Sequence, residues 1–126
     1  MIISIGVDII EVSRVRETIA RTPRFAERVF TDAERGYCES RGAAAAQHYA
    51  ARFAAKEAAL KALQTGWNGG ISWQDVEVAS KDSGAPLILF HGRARELYEA
   101  SGATIAHISI AHTTAHAIAE VILEKV

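Results

Sequence analysis

The sequence has too few cysteines, too little net charge and too short an apolar run for several classes of protein. Its single cysteine, Cys38, excludes an intrachain disulfide framework and fits a reducing cytosol. A net charge of −1 gives no overall attraction to nucleic acid or acidic membranes. The apolar start, residues 1–10, lacks a basic flank and is interrupted by Asp8, so it resembles neither a signal peptide nor a membrane span. We expect a cytoplasmic protein with no membrane or nucleic-acid partner.

Length and hydrophobic pattern predict one α+β domain over residues 1–126. Thr31 and Glu34 have the spacing of a capping box that opens a helix. Gly66 is expected in the left-handed C-cap position of the longest helix, followed by a glycine-rich loop, 65–70. Strands joined by short turns should pair antiparallel. We predict strands at 2–9, 75–80, 86–90, 104–111 and 116–124, and further helices around 13–20, 24–29, 44–64 and 92–102.

The predicted helix 44–64 has no wide solvated face. Stepping 100° per residue places six alanines on one side and four bulky apolar residues on the other. The charged residues lie within or beside the stripe of bulky residues, whereas an ordinary surface helix carries its charges on the opposite face. The alanines are Ala51, Ala54, Ala55, Ala58, Ala59 and Ala62; the bulky residues are Tyr49, Phe53, Leu60 and Leu63; the charged residues are Arg52, Lys56, Glu57 and Lys61.

Two carboxylates are candidate metal ligands. Asp8 near the end of the first strand is either a turn or cap residue or a functional group, and small neighbours leave room beside it. Glu57 and Lys61 are spaced for a helical ion pair, but Glu57 also lies on a half-buried stripe, where a carboxylate needs a cation. Asp8 and Glu57 together suit Mg²⁺, which completes its shell with water and phosphate oxygens. Arg52, Lys56 and Lys61 would then meet the phosphates of a substrate.

The histidines do not form a zinc motif. His107, His112 and His116 are not spaced to converge, and no cysteine lies near them in sequence. Two interpretations remain open for the polar groups at this strand end, Ser109, His112 and Thr113: donors to a ligand, or satisfied structural residues. The sequence has no phosphate-binding Walker loop and no dinucleotide fingerprint.

A basic segment stands out against the neutral whole. Five arginines lie between residues 14 and 28, against two glutamates. The segment is either a solvated helix face or a docking surface for one acidic partner. Because the segment lacks aromatic interleaving of the kind used to stack bases, binding of single-stranded nucleic acid is not indicated.

Four stretches of the chain resemble the holo-acyl-carrier-protein synthases, the short 4′-phosphopantetheinyl transferases. They are "IGVDIIEVSRV" at 5–15, "RFAAKEAALKAL" at 52–63, "VEVASKDSGAPLI" at 76–88 and "HISIAHT" at 107–113. The resemblance implies the transferase fold, in which an antiparallel sheet packs with one long and several short helices. It also implies transfer of 4′-phosphopantetheine from coenzyme A to a serine of apo-acyl carrier protein, releasing adenosine 3′,5′-bisphosphate.

The resemblance also assigns roles to residues. It implies that Asp8 and Glu57 hold the divalent ion and that Lys61 contacts the diphosphate. The family is typically trimeric, with each coenzyme A cleft between two protomers. The carrier protein is expected on Arg14, Arg21, Arg24 and Arg28. The residues expected to line the cleft are Arg52, Gly66, Ser109, His112 and Thr113.

Phosphoryl-transfer chemistry leaves the general base open between Glu57, acting directly or through a metal-bound water, and His112. The alanine side of the long helix should pack within the domain, and its charged flank should face the cleft. The chain departs from the family's pattern at Gln64, Ala111 and Thr113, and Gln64 predicts a helix that runs further before the loop.

Two competing hypotheses are a non-catalytic coenzyme A- or nucleotide-binding module that recruits an acidic protein, and a Mg²⁺-dependent phosphohydrolase. Neither accounts for the carboxylates, the lysines and the separate basic segment together.

Overall fold

Five helices and five strands follow one another in mixed order along the residues that the computed structural model describes, 1–66 and 70–126. Residues 67–69 of the predicted loop lie outside the described residues. Short 3₁₀ turns occur at Gly42–Ala44 and Trp73–Asp75. The strands are β1 (Ile2–Glu11), β2 (Val76–Ser80), β3 (Pro86–Phe90), β4 (Ile105–His112) and β5 (His116–Glu124); the helices are α1 (Val12–Arg21), α2 (Arg24–Val29), α3 (Asp32–Glu39), α4 (Ala45–Leu63) and α5 (Gly92–Ala100).

The strands form two antiparallel sheets. In the larger sheet β5 lies between β1 and β4, and the smaller sheet is the β2–β3 hairpin. The α+β class and the antiparallel pairing of strands joined by short turns are therefore confirmed. Among the described residues, no helix is long and apolar enough to cross a bilayer.

The alanine side of α4 packs against the large sheet, as predicted. Ala54, Ala55, Ala58 and Ala59 are fully buried. The closest approach is at Gly6 of β1, where a Cβ atom would lie 2.0 Å from the carbonyl oxygen of Ala58. Only glycine permits this separation, so the small-residue face of β1 is the face that meets the helix.

The branched apolar face of β1 points away from α4. Ile5, Val7 and Ile9 are exposed in the single chain, and Ile9 pairs in register with the exposed Ile118 of β5. Together these four residues give the large sheet an apolar outer face. Exposed apolar patches of this kind mark interaction surfaces.

The long helix carries a buried ion pair that overturns one prediction. Lys56 was expected to meet phosphate, but its side chain is fully buried and its Nζ lies 2.9 Å from Oε1 of Glu34 in α3. The same ammonium donates to the carbonyl oxygens of Trp73 and Val76. Burial lowers the pKa of Lys56, and the Glu34 carboxylate opposes that shift. Lys56 therefore ties α4 to α3 and the start of β2, and it does not reach a cleft.

The predicted capping box at the start of α3 is confirmed, whereas the predicted C-cap of α4 at Gly66 is wrong. The Thr31 hydroxyl accepts from the Glu34 amide while the Glu34 carboxylate accepts from the Thr31 amide. At the other helix the left-handed C-cap residue is Gln64, with φ of 62°, so the cap comes two residues before Gly66 and the helix does not run further. Gly66 also has a positive φ, of 59°.

Candidate active site

Asp8 and Glu57 line one cavity. The cavity has a volume of about 420 Å³, and β1, α1, α2 and α4 supply its walls. Asp8 lies three positions before the end of β1 on the small-residue face, and Glu57 faces it from the middle of α4. The close packing at Gly6 brings these two elements together. We call this space the carboxylate cavity; its remaining walls are Ile9, Ile10, Arg14, Val15, Thr18, Phe25 and Phe53.

Lys61 lies at the edge of the carboxylate cavity, one helical turn beyond Glu57. Its Nζ donates to Oδ1 of Asp8 at 3.2 Å and to the carbonyl oxygen of Val7 at 3.0 Å. The lysine side chain is 56% exposed, so it remains accessible to an anion. An exposed ammonium beside a carboxylate can exchange that contact for a phosphate oxygen at small cost, because an exposed ion pair is weak.

The donor set of the cavity fits a hard divalent cation. It offers two carboxylates, and oxygen ligands are what Mg²⁺ takes from proteins, with water and substrate oxygens completing the shell. Among residues 1–66 and 70–126, no group of three or more histidine, cysteine, aspartate or glutamate side chains is placed to hold a metal alone. A metal bound here would therefore retain open coordination positions.

The arginine segment adjoins the carboxylate cavity. Arg14, in the first turns of α1, lines it directly. Arg24 and Arg28 of α2, with Glu27 between them, line a second, open cavity of about 470 Å³. Arg21 is exposed at the end of α1. A basic surface therefore runs from the carboxylates across both short helices.

Three of the remaining predicted site residues belong to β4 and the turn that follows it. His112 ends β4 on the inner side of the sheet, beside His48 of α4. Ser109 lies on the outer face, paired in register with the exposed Glu120. The Thr113 hydroxyl accepts from the amides of Ala115 and His116 and closes the β4–β5 turn. The single chain thus does not bring Ser109 to the carboxylate cavity.

Arg52 is buried, with only 5% of its surface exposed. Its guanidinium carbon lies 3.9 Å from the centroid of the Tyr37 ring, and its Nε atom has no hydrogen-bond partner among the described residues. Arg41 approaches the same ring at 4.5 Å. Gly66 is exposed just past the end of α4.

Sequence reasoning missed several residues of this region. Phe25 and Phe53 form an apolar wall of the carboxylate cavity, with ring centroids 5.9 Å apart. Tyr37 and His48 connect Arg52 to His112. The position of Phe25 inside the arginine segment was one available signal. The contact between Tyr37 and His48 joins two separate helices, so no local sequence pattern predicts it. Burial raises the pKa of the Cys38 thiol to about 12, so this cysteine offers no nucleophile.

Comparisons with known proteins agree with the resemblance. Residues 4–119 match the ACPS model of the 4′-phosphopantetheinyl transferase superfamily. The holo-(acyl-carrier-protein) synthase of Koribacter versatilis is 47% identical over 98% of this chain and 99% of its own. The Bacillus anthracis synthase, crystallised in complex with CoA (3′,5′-ADP), is 35% identical with a TM-score of 0.82 over 100% of this chain and 99% of that one. The Helicobacter pylori synthase, in complex with coenzyme A, is 30% identical, with a TM-score of 0.82 over 95% of this chain and 99% of that one.

The match to the family model covers more than nine-tenths of the chain, and the solved synthases share its arrangement of helices and antiparallel strands. The chain belongs to the 4′-phosphopantetheinyl transferase superfamily.

Proposed function

We propose that this chain is a holo-acyl-carrier-protein synthase, which transfers 4′-phosphopantetheine from coenzyme A to a serine of apo-acyl carrier protein. The carboxylate cavity carries the proposal, because Asp8 and Glu57 adjoin Arg14 of the basic surface there. Phosphoryl transfer to a protein needs a site that offsets phosphate charge and a docking surface beside it. The name of the relatives and the coenzyme A bound in two solved neighbours support the same activity.

In the proposed reaction the serine oxygen forms a bond to the β-phosphorus of coenzyme A. The bond from that phosphorus to the bridging oxygen breaks, and adenosine 3′,5′-bisphosphate leaves with the electron pair. Asp8 and Glu57 would hold Mg²⁺, which supplies positive charge against the diphosphate when bound. Lys61 adds a second positive charge beside Asp8, where the leaving group gains negative charge.

A base must accept the serine proton. Glu57 is the first candidate because it lines the carboxylate cavity together with Arg14, close to where a docked carrier protein would present its serine. His112 is the second candidate. For the rest of coenzyme A we assign Arg52, Gly66, Ser109, His112 and Thr113 as subsite residues.

The carrier protein would dock on Arg14, Arg21, Arg24 and Arg28. All four side chains are exposed on α1 and α2, and the surface begins at the carboxylate cavity. An acidic partner would be steered to this surface by charge, so its association should weaken with rising salt. The arginines thus place the acceptor and are not part of the phosphoryl chemistry.

We also propose that the chain forms a single domain over residues 1–126 and acts in the cytoplasm. Three copies would assemble into a homotrimer. The apolar outer face of the large sheet supports assembly, because Ile5, Val7 and Ile9 are 60%, 47% and 64% exposed in the single chain. Ser109 lies on that face, so a second protomer would bring it into a shared cleft.

Native mass spectrometry should show three copies, and Val7→Glu should give monomers while Leu89→Glu, an exposed apolar control on β3, should not. A fully active wild-type monomer would contradict this assembly.

Intact mass spectrometry tests the activity. Apo-acyl carrier protein, coenzyme A, Mg²⁺ and this protein should yield a carrier protein heavier by about 340 Da, the mass of one phosphopantetheine transferred with its phosphoryl group. Asp8→Asn and Glu57→Gln should abolish the gain, and Glu96→Gln, a surface carboxylate of α5, should leave it unchanged. Turnover of coenzyme A without a carrier protein would favour a phosphohydrolase. Binding of carrier protein without any mass gain would favour a non-catalytic module.

A further inference from the structure

A row of aromatic side chains connects the buried arginine of α4 to the end of β4. The Tyr37 ring meets the His48 ring at 5.5 Å between centroids, and the His48 ring meets the His112 ring at 4.9 Å. Both contacts are edge-to-face, with interplanar angles of 74° and 67°. We call Tyr37, His48 and His112 the aromatic row. The guanidinium groups of Arg41 and Arg52 flank its Tyr37 end.

The aromatic row fixes a side chain that would otherwise be free. His112 is exposed at the last position of β4, where the strand gives way to a turn. An exposed imidazole explores several rotamers, and ordering it when a ligand binds costs free energy. Edge-to-face packing against a partly buried ring removes part of that freedom before the ligand arrives. His48 is the ring that makes this contact.

The charge state of His48 is compatible with the contact. Burial lowers its pKa, and electrostatic interactions with His112 and with the guanidinium groups of Arg41 and Arg52 lower it further. The imidazole is therefore neutral near pH 7. A neutral ring can pack against His112 without charge repulsion.

On the basis of the proposed transferase function, we propose that His48 is a positioning residue that holds the His112 imidazole in the orientation that receives coenzyme A. His48 acts through its ring contact and not through a hydrogen bond to the substrate. With Glu57 as the general base, its loss should therefore weaken coenzyme A binding and leave the steps at the carboxylate cavity unchanged.

Steady-state kinetics of the full-length protein with apo-acyl carrier protein and coenzyme A test this role. His48→Ala should raise the KM for coenzyme A about two- to tenfold, the range that one aromatic pair contributes, with the KM for carrier protein unchanged. With Glu57 as the general base kcat should also be unchanged, whereas a fall in kcat beside the raised KM would assign the base to His112. His48→Phe, which retains an aromatic ring, should restore most of the affinity. Gln47→Ala, a change at the preceding helix position, is the matched control and should behave as wild type.

An NMR measurement separates this inference from the proposed function. In the ¹H–¹³C spectrum of protein without substrate, His48→Ala should move the His112 ring resonances, because the ring current of the neighbouring imidazole is lost, and Gln47→Ala should not. Unmoved His112 resonances, an unchanged KM for coenzyme A, or equal impairment of the Ala and Phe variants would each overturn the positioning role. If the wild type transfers no phosphopantetheine, the proposed function fails, and the NMR result still decides whether His48 holds His112.

Discussion

One methyl group at position 6 should separate the first strand from the long helix. In Gly6→Ala the new Cβ would lie 2.0 Å from the Ala58 carbonyl oxygen and 2.7 Å from the Ala62 nitrogen. Both obstacles are backbone atoms of a buried helix, so no side chain can turn aside to make room. The strand and the helix must therefore move apart by about 1 Å or more to reach ordinary contact distance.

The displacement has two measurable consequences. Forcing extra volume into a packed core costs about 1–3 kcal/mol, and a backbone obstacle favours the upper end of that range. The separation between Asp8 on β1 and Glu57 on α4 also changes, and a misplacement of about 1 Å at a catalytic centre can reduce the rate by about 10²-fold. We expect Gly6→Ala to fold with reduced stability and to lose most of its transferase activity.

Urea unfolding and the carrier-protein mass assay measure the two effects separately. Gly36→Ala is the matched control, because a Cβ on Gly36 of α3 would meet nothing within 4 Å. That control should retain full activity and gain about 0.5–1 kcal/mol, since alanine is the better helix former. If Gly6→Ala retained wild-type activity and an unchanged unfolding midpoint, the close approach would not set the geometry of the carboxylates.

Three further predictions concern stability. Gln64→Gly should raise the free energy of unfolding by about 0.5–1 kcal/mol, because the residue is held in the left-handed region that glycine adopts without strain. Glu34→Gln should lower it by about 3–5 kcal/mol, since Lys56 would remain as a buried charge without its counter-ion. Burial raises the pKa of Glu77, but hydrogen bonds from His91 and Thr31 outweigh it and hold that pKa below its ordinary value of 4.5. The stabilisation from Glu77 is therefore complete above about pH 4.5 and should disappear as the pH falls through the lower folded-state value.

Each of these has its own control, measured by urea denaturation. Gln64→Ala should give no comparable gain, and a gain equal to that of glycine would exclude backbone strain as the cause. The double variant Glu34→Gln/Lys56→Met should recover part of the loss, and a fully additive loss would show that the two groups are not coupled. Glu77→Gln should flatten the acid side of the stability profile, and an unaltered acid limb would contradict the sign of the shift.

Local patterns predicted the elements well because the physics that forms them is local. The spacing of Thr31 and Glu34 predicted the cap of α3, and alternation located all five strands to within two residues at either end. The second role of Glu34 could not be found this way. Its partner Lys56 is 22 positions away, and only the packed fold makes the pair visible.

For the candidate site, too, residue chemistry was predictable from the sequence and burial was not. The pairing of Asp8 with Glu57 followed from residue chemistry and the resemblance, and both residues line one cavity. The assignment of Lys56 to phosphate failed because helical spacing says which residues share a face and not which face is buried. The prediction of a left-handed cap at Gly66 was wrong because glycine is the commonest residue in that conformation, whereas here Gln64, two positions earlier, adopts it.

The buried pair of Glu34 and Lys56 constrains how this sequence can change over time. Oε2 of Glu34 also accepts from the amide of Val78, so one carboxylate serves a helix cap, a strand and an ammonium. Replacing either partner alone leaves a buried charge, whereas replacing both together removes it. Mutation by single steps must therefore cross an unstable intermediate. Among descendants of this sequence, positions 34 and 56 should remain fixed or change together, even though neither residue lines the carboxylate cavity.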